Sequence, residues 1–230
     1  MCCTPAALSL QSEALVEHVA AAGAFLAFSI MNVLAKYLSD GMSVVEIGTG
    51  WGGFAIHAAR NYGCQVTTTT ISREQFRMAQ RRVDEAGLGG QVKLLMQDYR
   101  DLRGQYDKLV SIEMIEAIGS EQYDTYFGQC SRLLKPGGCM LIQAITIHDD
   151  QYAYAQKNVD FIQRYIFPGS CLPSLGVMTE TIARVSDMRV TDVEDIGRDY
   201  ALTLNHWRRN FFEHIHEVID LGYPEELVDN

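Results

Sequence analysis

Glu46-Ile47-Gly48-Thr49-Gly50-Trp51-Gly52-Gly53 joins a short apolar run, Ser43 to Ile47, to a helical pattern from Trp51 to Asn61. Glycines at such a junction let the backbone turn sharply and approach a ligand closely, and the first turn of the helix presents N–H groups with no partner of their own. The junction can therefore cradle a nucleotide cofactor. Outward from it, apolar runs alternate with helical patterns, the signature of βαβ units feeding a parallel sheet. Gln65 to Thr70, rich in β-branched residues, reads as the second strand. Ser72 then caps a helix to Ala86, which ends at Gly87. Val92 to Met96, Lys108 to Ile112 and Cys139 to Ile145 read as the third, fourth and fifth strands. The pattern further predicts a helical insertion over His148 to Tyr165 and a helix over Thr179 to Ser186. A sixth strand over Arg189 to Ile196 and a closing helix over Thr203 to Asp220 follow. The expected fold is α/β and Rossmann-like: a mostly parallel sheet with helices on both faces.

The 230-residue length allows one good core with appendages rather than two independent ones. Hydrophobic residues at 47% and charged residues at 21% are ordinary for a folded globular chain. A net charge of -10 argues against a nucleic-acid partner, which calls for a basic stripe to replace counterions, and no polybasic lipid anchor is present. The six cysteines show no CxxC and no zinc-finger histidine spacing, so a reducing cytosol is the simplest reading. His214 and His216 stand two apart, on different faces of a helix, and no metal site is expected.

Val19 to Leu34 is almost wholly apolar, broken only by Ser29 and Asn32. It falls short of a bilayer span, and Glu13 and Glu17 stand where a cleaved signal needs basic residues. A helix buried against the domain and a helix lying on a membrane both fit. Residues 1–40 are set apart as an N-terminal helical segment, and residues 41–230 as the domain proper.

Gly48, Gly50 and Gly53 also satisfy the GxGxxG pattern of dinucleotide-binding domains. That fold wants an acid at the end of the second strand for the ribose hydroxyls. This chain has Thr67, Thr68, Thr69 and Thr70 there, and the first acid, Glu74, lies inside the next helix. Arg73 keeps an NADP reading open, because an arginine can accommodate a 2'-phosphate. Glu46, just ahead of the glycines, resembles the EXGXG acid with which methyltransferases position the cationic methionyl part of S-adenosylmethionine. Gln97-Asp98-Tyr99 after the third strand resembles the methyltransferase acid that meets the adenine amino group. Leu133-Leu134-Lys135-Pro136-Gly137-Gly138 is similar to the LKPGG turn before the fifth strand of that superfamily. Pro and Gly end helices everywhere, so the value of this last match is its place in the order of elements.

A narrower resemblance covers roughly Gly41 to Glu226. The segments EIGTGWGGFAIHAARNYGCQVTTTTISREQ (Glu46 to Gln75), VSIEMIEAIG (Val110 to Gly119), DFIQRYIFPGSCLPS (Asp160 to Ser174) and YALTLNHWRRNF (Tyr200 to Phe211) resemble those of the cyclopropane-fatty-acyl-phospholipid and mycolic acid cyclopropane synthases, class I methyltransferases. The resemblance implies an S-adenosylmethionine site made by Gly48, Thr49 and Gly50, by Thr70, Ile71, Ser72, Arg73, Glu74 and Gln75, and by Asp98 and Tyr99. It implies methyl transfer to a cis double bond of a phospholipid acyl chain at a membrane surface, in a cytoplasmic protein peripheral to the inner face. It also implies a bound bicarbonate as base, cradled by Glu116, Gln143, the backbone of Ile145, and Tyr200. A carboxylate can accept the bicarbonate hydroxyl while phenol, amide and backbone donors bind its oxygens. Glu116 can instead be a solvated helix-start acid and Tyr200 a core tyrosine, and Glu113 competes with Glu116 for the role.

Departures from the family stand beside these matches. Many members have histidine at the position of Gln143. The family's tyrosine-serine-cysteine lid segment has no counterpart in Met1 to Asp40, and members continue past the closing helix into a last antiparallel strand. That strand would sit beside the fifth, so the fifth is expected to expose an edge that invites a homo-oligomer. Two further readings follow: a truncated, catalytically silent cofactor-binding domain, and a small-molecule N-methyltransferase of a related type.

Overall fold

The computed structural model describes residues 36–220. The apolar stretch from Val19 to Leu34 lies outside them. The described residues fall into two units, 37–192 and 193–220 together with Lys36.

The first unit is built on a five-stranded sheet: β1 (Ser43–Ile47), β2 (Gln65–Thr70), β3 (Val92–Met96), β4 (Tyr106–Ile112) and β5 (Leu134–Gln143), in the order β3-β2-β1-β4-β5. Every pairing is parallel. Consecutive residues of β1 are buried, so both sheet faces are covered, as the βαβ pattern requires. The crossover elements are α1 (Gly53–Tyr62), α2 (Arg73–Glu85) and α3 (Tyr123–Leu133). Tyr126, Phe127 and Leu133 of α3 pack with Leu109 of β4 and Ile115 in one core cluster. The chain leaves β1 toward β2 on one side and returns to β4 on the other. This reversal makes the carboxyl ends of β1 and β4 the ligand-binding crevice of such sheets.

Several expected boundaries move, each for a local reason. The first helix begins at Gly53 rather than Trp51, because Gly52, with φ 83, still belongs to the turn. The fifth strand begins at Leu134, so Lys135-Pro136-Gly137-Gly138 lies inside it, at a register shift against Tyr106 and Lys108, and it ends at Gln143 rather than Ile145. The expected insertion helix breaks into α4 (Asp149–Ala155) and a π-helical turn, Ile162–Ile166. Asp160 causes the restart: its carboxylate accepts the Gln163 amide at 2.7 Å while Gln163 accepts the Asp160 amide at 3.1 Å, a reciprocal cap. Next, α5 (Leu175–Val185) starts before Thr179, because Ser174 accepts the Val177 amide and caps it.

The expected sixth strand does not form. Arg189 to Ile196 pairs with no strand among the described residues, and Val190 and Val193 stand 47% and 60% exposed. Its apolar residues, Val190, Val193 and Ile196, stand three apart rather than two, and a strand forms only where a neighbour supplies the ladder; among the described residues β5 has no neighbour beyond β4. The second unit holds α6 (Gly197–Glu213), which starts earlier than the expected Thr203, and α7 (Ile215–Asp220), separated from it at His214.

Candidate active site at the carboxyl ends of β1, β4 and β5

The turn after β1 is tied to the end of β2: the amides of Gly48 and Thr49 donate to the Thr69 carbonyl at 3.1 and 3.0 Å. Gly48 has φ 98, a backbone state open mainly to glycine, and a side chain there would meet Met114 at 3.4 Å. Gly52, φ 83, lies so close to α2 that a Cβ would fall 3.1 Å from that of Ala79.

Beneath the turn runs a buried polar chain. Glu46 is 2% exposed and its Oε2 accepts from Thr68 Oγ1 at 2.6 Å, and the hydroxyls of Thr68 and Thr49 stand 2.6 Å apart. Since the single hydroxyl hydrogen of Thr68 goes to Glu46, Thr49 is the donor in the second bond. Burial pushes the Glu46 carboxyl up to about 8, against the lowering effect of the Thr68 bond. Thus Glu46, expected as a ligand of the methionyl part, first anchors Thr49 in the turn.

After β2, Thr70 Oγ1 donates to Gln75 Oε1 at 2.9 Å and accepts the Ser72 amide, while Ser72 caps α2 on the Gln75 amide. The cap clusters Thr70, Ser72 and Gln75. Ile71, Arg73 and Glu74 project from it, exposed. After β3, Asp98 is gripped by Arg100 through its main-chain amide and two guanidinium nitrogens at 2.7–2.9 Å. That pairing holds the Asp98 carboxyl below its usual range. The Tyr99 ring, expected at the cofactor, packs edge-on against Tyr126 in the core. Gln129, which sequence reasoning missed, is buried on α3 and donates to the carbonyls of Tyr99 and Leu102, fixing this loop. A lone glutamine inside a helical pattern carries no signal of that role.

The second half of the site follows β4 and β5. Glu116 Oε1 accepts the Ile145 amide, while its own carbonyl accepts the Cys171 amide at 3.1 Å. The Cys171 carbonyl in turn accepts from the Tyr123 hydroxyl at 2.8 Å. Glu113 and Gln143 meet twice: the Glu113 amide donates to the Gln143 carbonyl at 3.0 Å, and Gln143 Nε2 donates to Glu113 Oε1 at 3.3 Å. Glu116 Oε2 and Gln143 Oε1 are both buried with no hydrogen-bond partner. Desolvation raises the Glu116 carboxyl, the Ile145 bond opposes it, and the Glu113 charge adds to the rise. The structure thus brings Glu116, Gln143 and Ile145 together and adds Glu113. Tyr200 lies on α6, in the second unit. Among the described residues no cluster has the makings of a metal site.

A buried acid with a free oxygen can hold a hydroxyl donor and take up a proton, and a free amide oxygen can accept from a further donor. The Met114 side chain stands close to Gly48, so the glycine turn and the acids lie together at the carboxyl edge of the sheet.

Comparison with known proteins gives the same frame. A sequence model described as mycolic acid cyclopropane synthetase matches residues 27–230. Cyclopropane-fatty-acyl-phospholipid synthase of Escherichia coli K12 is 41% identical over 193 residues, covering 83% of this chain and 47% of that protein. Tuberculostearic acid methyltransferase UfaA1 of Mycobacterium tuberculosis is 39% identical over 188 residues, covering 82% of this chain and 44% of that protein. The chain therefore spans about half the length of the curated relatives it matches. Among solved structures, mycolic acid cyclopropane synthase CmaA1, complexed with SAH and CTAB, superposes with a TM-score of 0.72 at 29% identity, covering 80% of this chain and 68% of that one.

Proposed function

The chain belongs to the mycolic acid cyclopropane synthetase family, and from that premise we propose that it uses S-adenosylmethionine to add a methylene across a cis double bond of phospholipid acyl chains. The observation that carries the reading is the pair of unpartnered buried oxygens, Glu116 Oε2 and Gln143 Oε1, at the same carboxyl edge of the sheet as the glycine turn that Met114 approaches.

An S-adenosylmethionine bound at the glycine turn supplies an electrophilic methyl group. Gly48, Thr49 and Gly50 fit its close approach, and the Thr70–Ser72–Gln75 cluster offers hydroxyl and amide groups for a ribose. Asp98 can serve an adenine amino group while Arg100 keeps it ionised. An alkene is a poor nucleophile, so much of the rate rests on holding the reacting carbons in line in a dry slot. The new methyl group must then lose a proton, whose bonding pair closes the ring. Glu116 fits the hydroxyl of a bicarbonate, which would supply a base when bound; the Gln143 amide, expected to donate to the ion, donates to Glu113 in this structure and leaves only its acceptor oxygen free. The Ile145 amide, assigned to that ion by the same resemblance, is engaged by Glu116 Oε1 in this structure. A carboxyl lifted toward the working pH, as Glu116 is, is suited to accept a proton in such a chain.

The test is incubation with S-adenosylmethionine and vesicles of cis-unsaturated phospholipid, with lipids analysed by mass spectrometry and calorimetry run in parallel with NADP. The expected result is acyl chains heavier by one methylene, and heat with S-adenosylmethionine alone. Heat with unchanged lipid would remove the lipid reaction and leave the cofactor. Preference for NADP would remove both.

Tyr154, Phe161, Tyr165 and Phe167 are all exposed around α4 and the π turn, an aromatic concentration that suits a lipid–water boundary. No helix among the described residues is long and apolar enough to cross a membrane. Replacing Phe161 and Phe167 together by serine is expected to lower sedimentation with unsaturated phospholipid vesicles several-fold and leave cofactor affinity intact. Undiminished sedimentation would take these aromatics out of the lipid contact.

A further inference from the structure

Glu113 is the one non-glycine residue with positive φ among the described residues, at 48°, and it stands directly after β4 in the acid centre. Such a backbone is unfavourable for an ordinary side chain, and glutamate lacks the short side chain that lets asparagine or aspartate tolerate it. Glycine would hold this turn with less strain, so the glutamate side chain needs a separate reason to be here. Its contacts supply one. The Glu113 amide and carboxylate both bond to Gln143, at 3.0 and 3.3 Å, so the end of β4 and the end of β5 are tied through one residue pair.

The two ends of a glutamine amide have nearly the same shape but opposite hydrogen-bonding sense. An ionised carboxylate accepts only, so it admits Nε2 and turns away Oε1. With Nε2 committed to Glu113, the atom of Gln143 left unpartnered is Oε1; Oε2 of Glu116, whose Oε1 takes the amide of Ile145 two residues further on, is unpartnered too. An uncharged partner at 113 would enforce no such choice. We propose that Glu113 is a positioning residue: held in the left-handed region, its carboxylate fixes the Gln143 amide with Oε1 as the free acceptor, so that the site receives a hydrogen-bond donor there. This deepens the functional reading above and rests on it for its kinetic consequence alone.

The experiment uses Glu113→Gly, which removes the carboxylate and relieves the backbone, so the variant is expected to fold at least as stably as the parent. Glu113→Gln keeps the length and shape and loses the charge. In the cofactor-free protein, the side-chain N–H signals of Gln143 in a nitrogen–proton NMR spectrum are expected to move in both variants, further in Glu113→Gly. In turnover of unsaturated phospholipid, kcat is expected to fall about tenfold in Glu113→Gly and less in Glu113→Gln. KM and cofactor affinity are expected to stay within about threefold, the split that marks an interaction made in the transition state. Gln143 signals that stay in place in Glu113→Gly, or parental kcat in a variant whose signals have moved, would overturn the proposal. A parent inactive on lipid but with moved signals in the variants upholds the pairing and counts against the lipid reaction, so the two failures are distinct.

Discussion

Glu116→Gln is expected to lower turnover of unsaturated phospholipid by roughly 10²–10⁴-fold, the range of a lost proton-transfer group, while cofactor affinity stays within about threefold. The variant keeps the shape of the side chain and can still accept the Ile145 amide, so the loop between β4 and α3 should hold its place. What it loses is a group that can receive a proton on the oxygen this structure leaves unpartnered. Desolvation raises the Glu116 pKa, so the acid limb of the parent's rate profile should be displaced upward from where an ordinary glutamate would put it and vanish in the variant. Adding bicarbonate to the parent separates the remaining roles. Stimulation that depends on Glu116 places the acid as a holder of the ion, whereas a rate indifferent to bicarbonate makes Glu116 the direct acceptor. Turnover unchanged by both the substitution and bicarbonate would remove the acid centre from the reaction.

How far this site can be read from the chain depends on how local each interaction is. β1, β2 and β3 lie where their sequence runs put them, because each run is bounded by turn residues and pairs with its neighbours in the sheet, with β1 and most of β2 buried and β3 more open at the edge. The Ser72 cap was legible for the same reason, being a bond between residues three apart. The glycine turn could be read as a turn, yet nothing local announces that Glu46, Thr68 and Thr49 form one buried chain; that follows from the register pairing Glu46 with Thr68. Likewise the acids in IEMIEAIG are visible as a motif, but only the parallel pairing of β4 with β5 brings Gln143 to Glu113 and Ile145 to Glu116. The opposite error occurs at Arg189 to Ile196, where β-branched residues suggested a strand but Val190, Val193 and Ile196 stand three apart, without the alternation of a half-buried strand, and no strand forms among the described residues. Backbone pairing is a property of two segments, and a pattern describes one. Tyr99 shows a third limit: its place next to Asp98 suggests a ligand, while the packing of its ring against Tyr126 in the core follows from the fold and not from its neighbours in sequence.

The state of Glu46 leads to the remaining prediction, in which cofactor affinity and stability both change with pH. Its ordinary pKa is 4.5 and its folded value is pushed up to about 8, chiefly by burial. A group whose folded pKa is raised holds its proton in the folded chain at pH values where the unfolded chain has released it. Its stabilising contribution is therefore complete below 4.5 and is lost as pH rises toward 8. Other acids titrate over part of the same range, so the informative quantity is the parent's stability minus that of Glu46→Gln, a neutral near-isostere. For the protein without cofactor this difference should shift against the parent as pH rises through that window, measured by urea unfolding at a series of pH values. Cofactor reverses the preference if its cationic methionyl part lies near the carboxyl, as the resemblance implies, because a nearby cation favours the ionised acid. Binding near neutral pH should then expel a proton from Glu46, and S-adenosylmethionine affinity should increase with pH until about 8. Titration calorimetry in buffers of different ionisation heat reads the proton directly: the parent should release a substantial fraction of one proton per cofactor bound, and Glu46→Gln close to none. A parent that binds S-adenosylmethionine with no proton release at neutral pH would place the cation away from Glu46 and leave that residue solely as the anchor of Thr49.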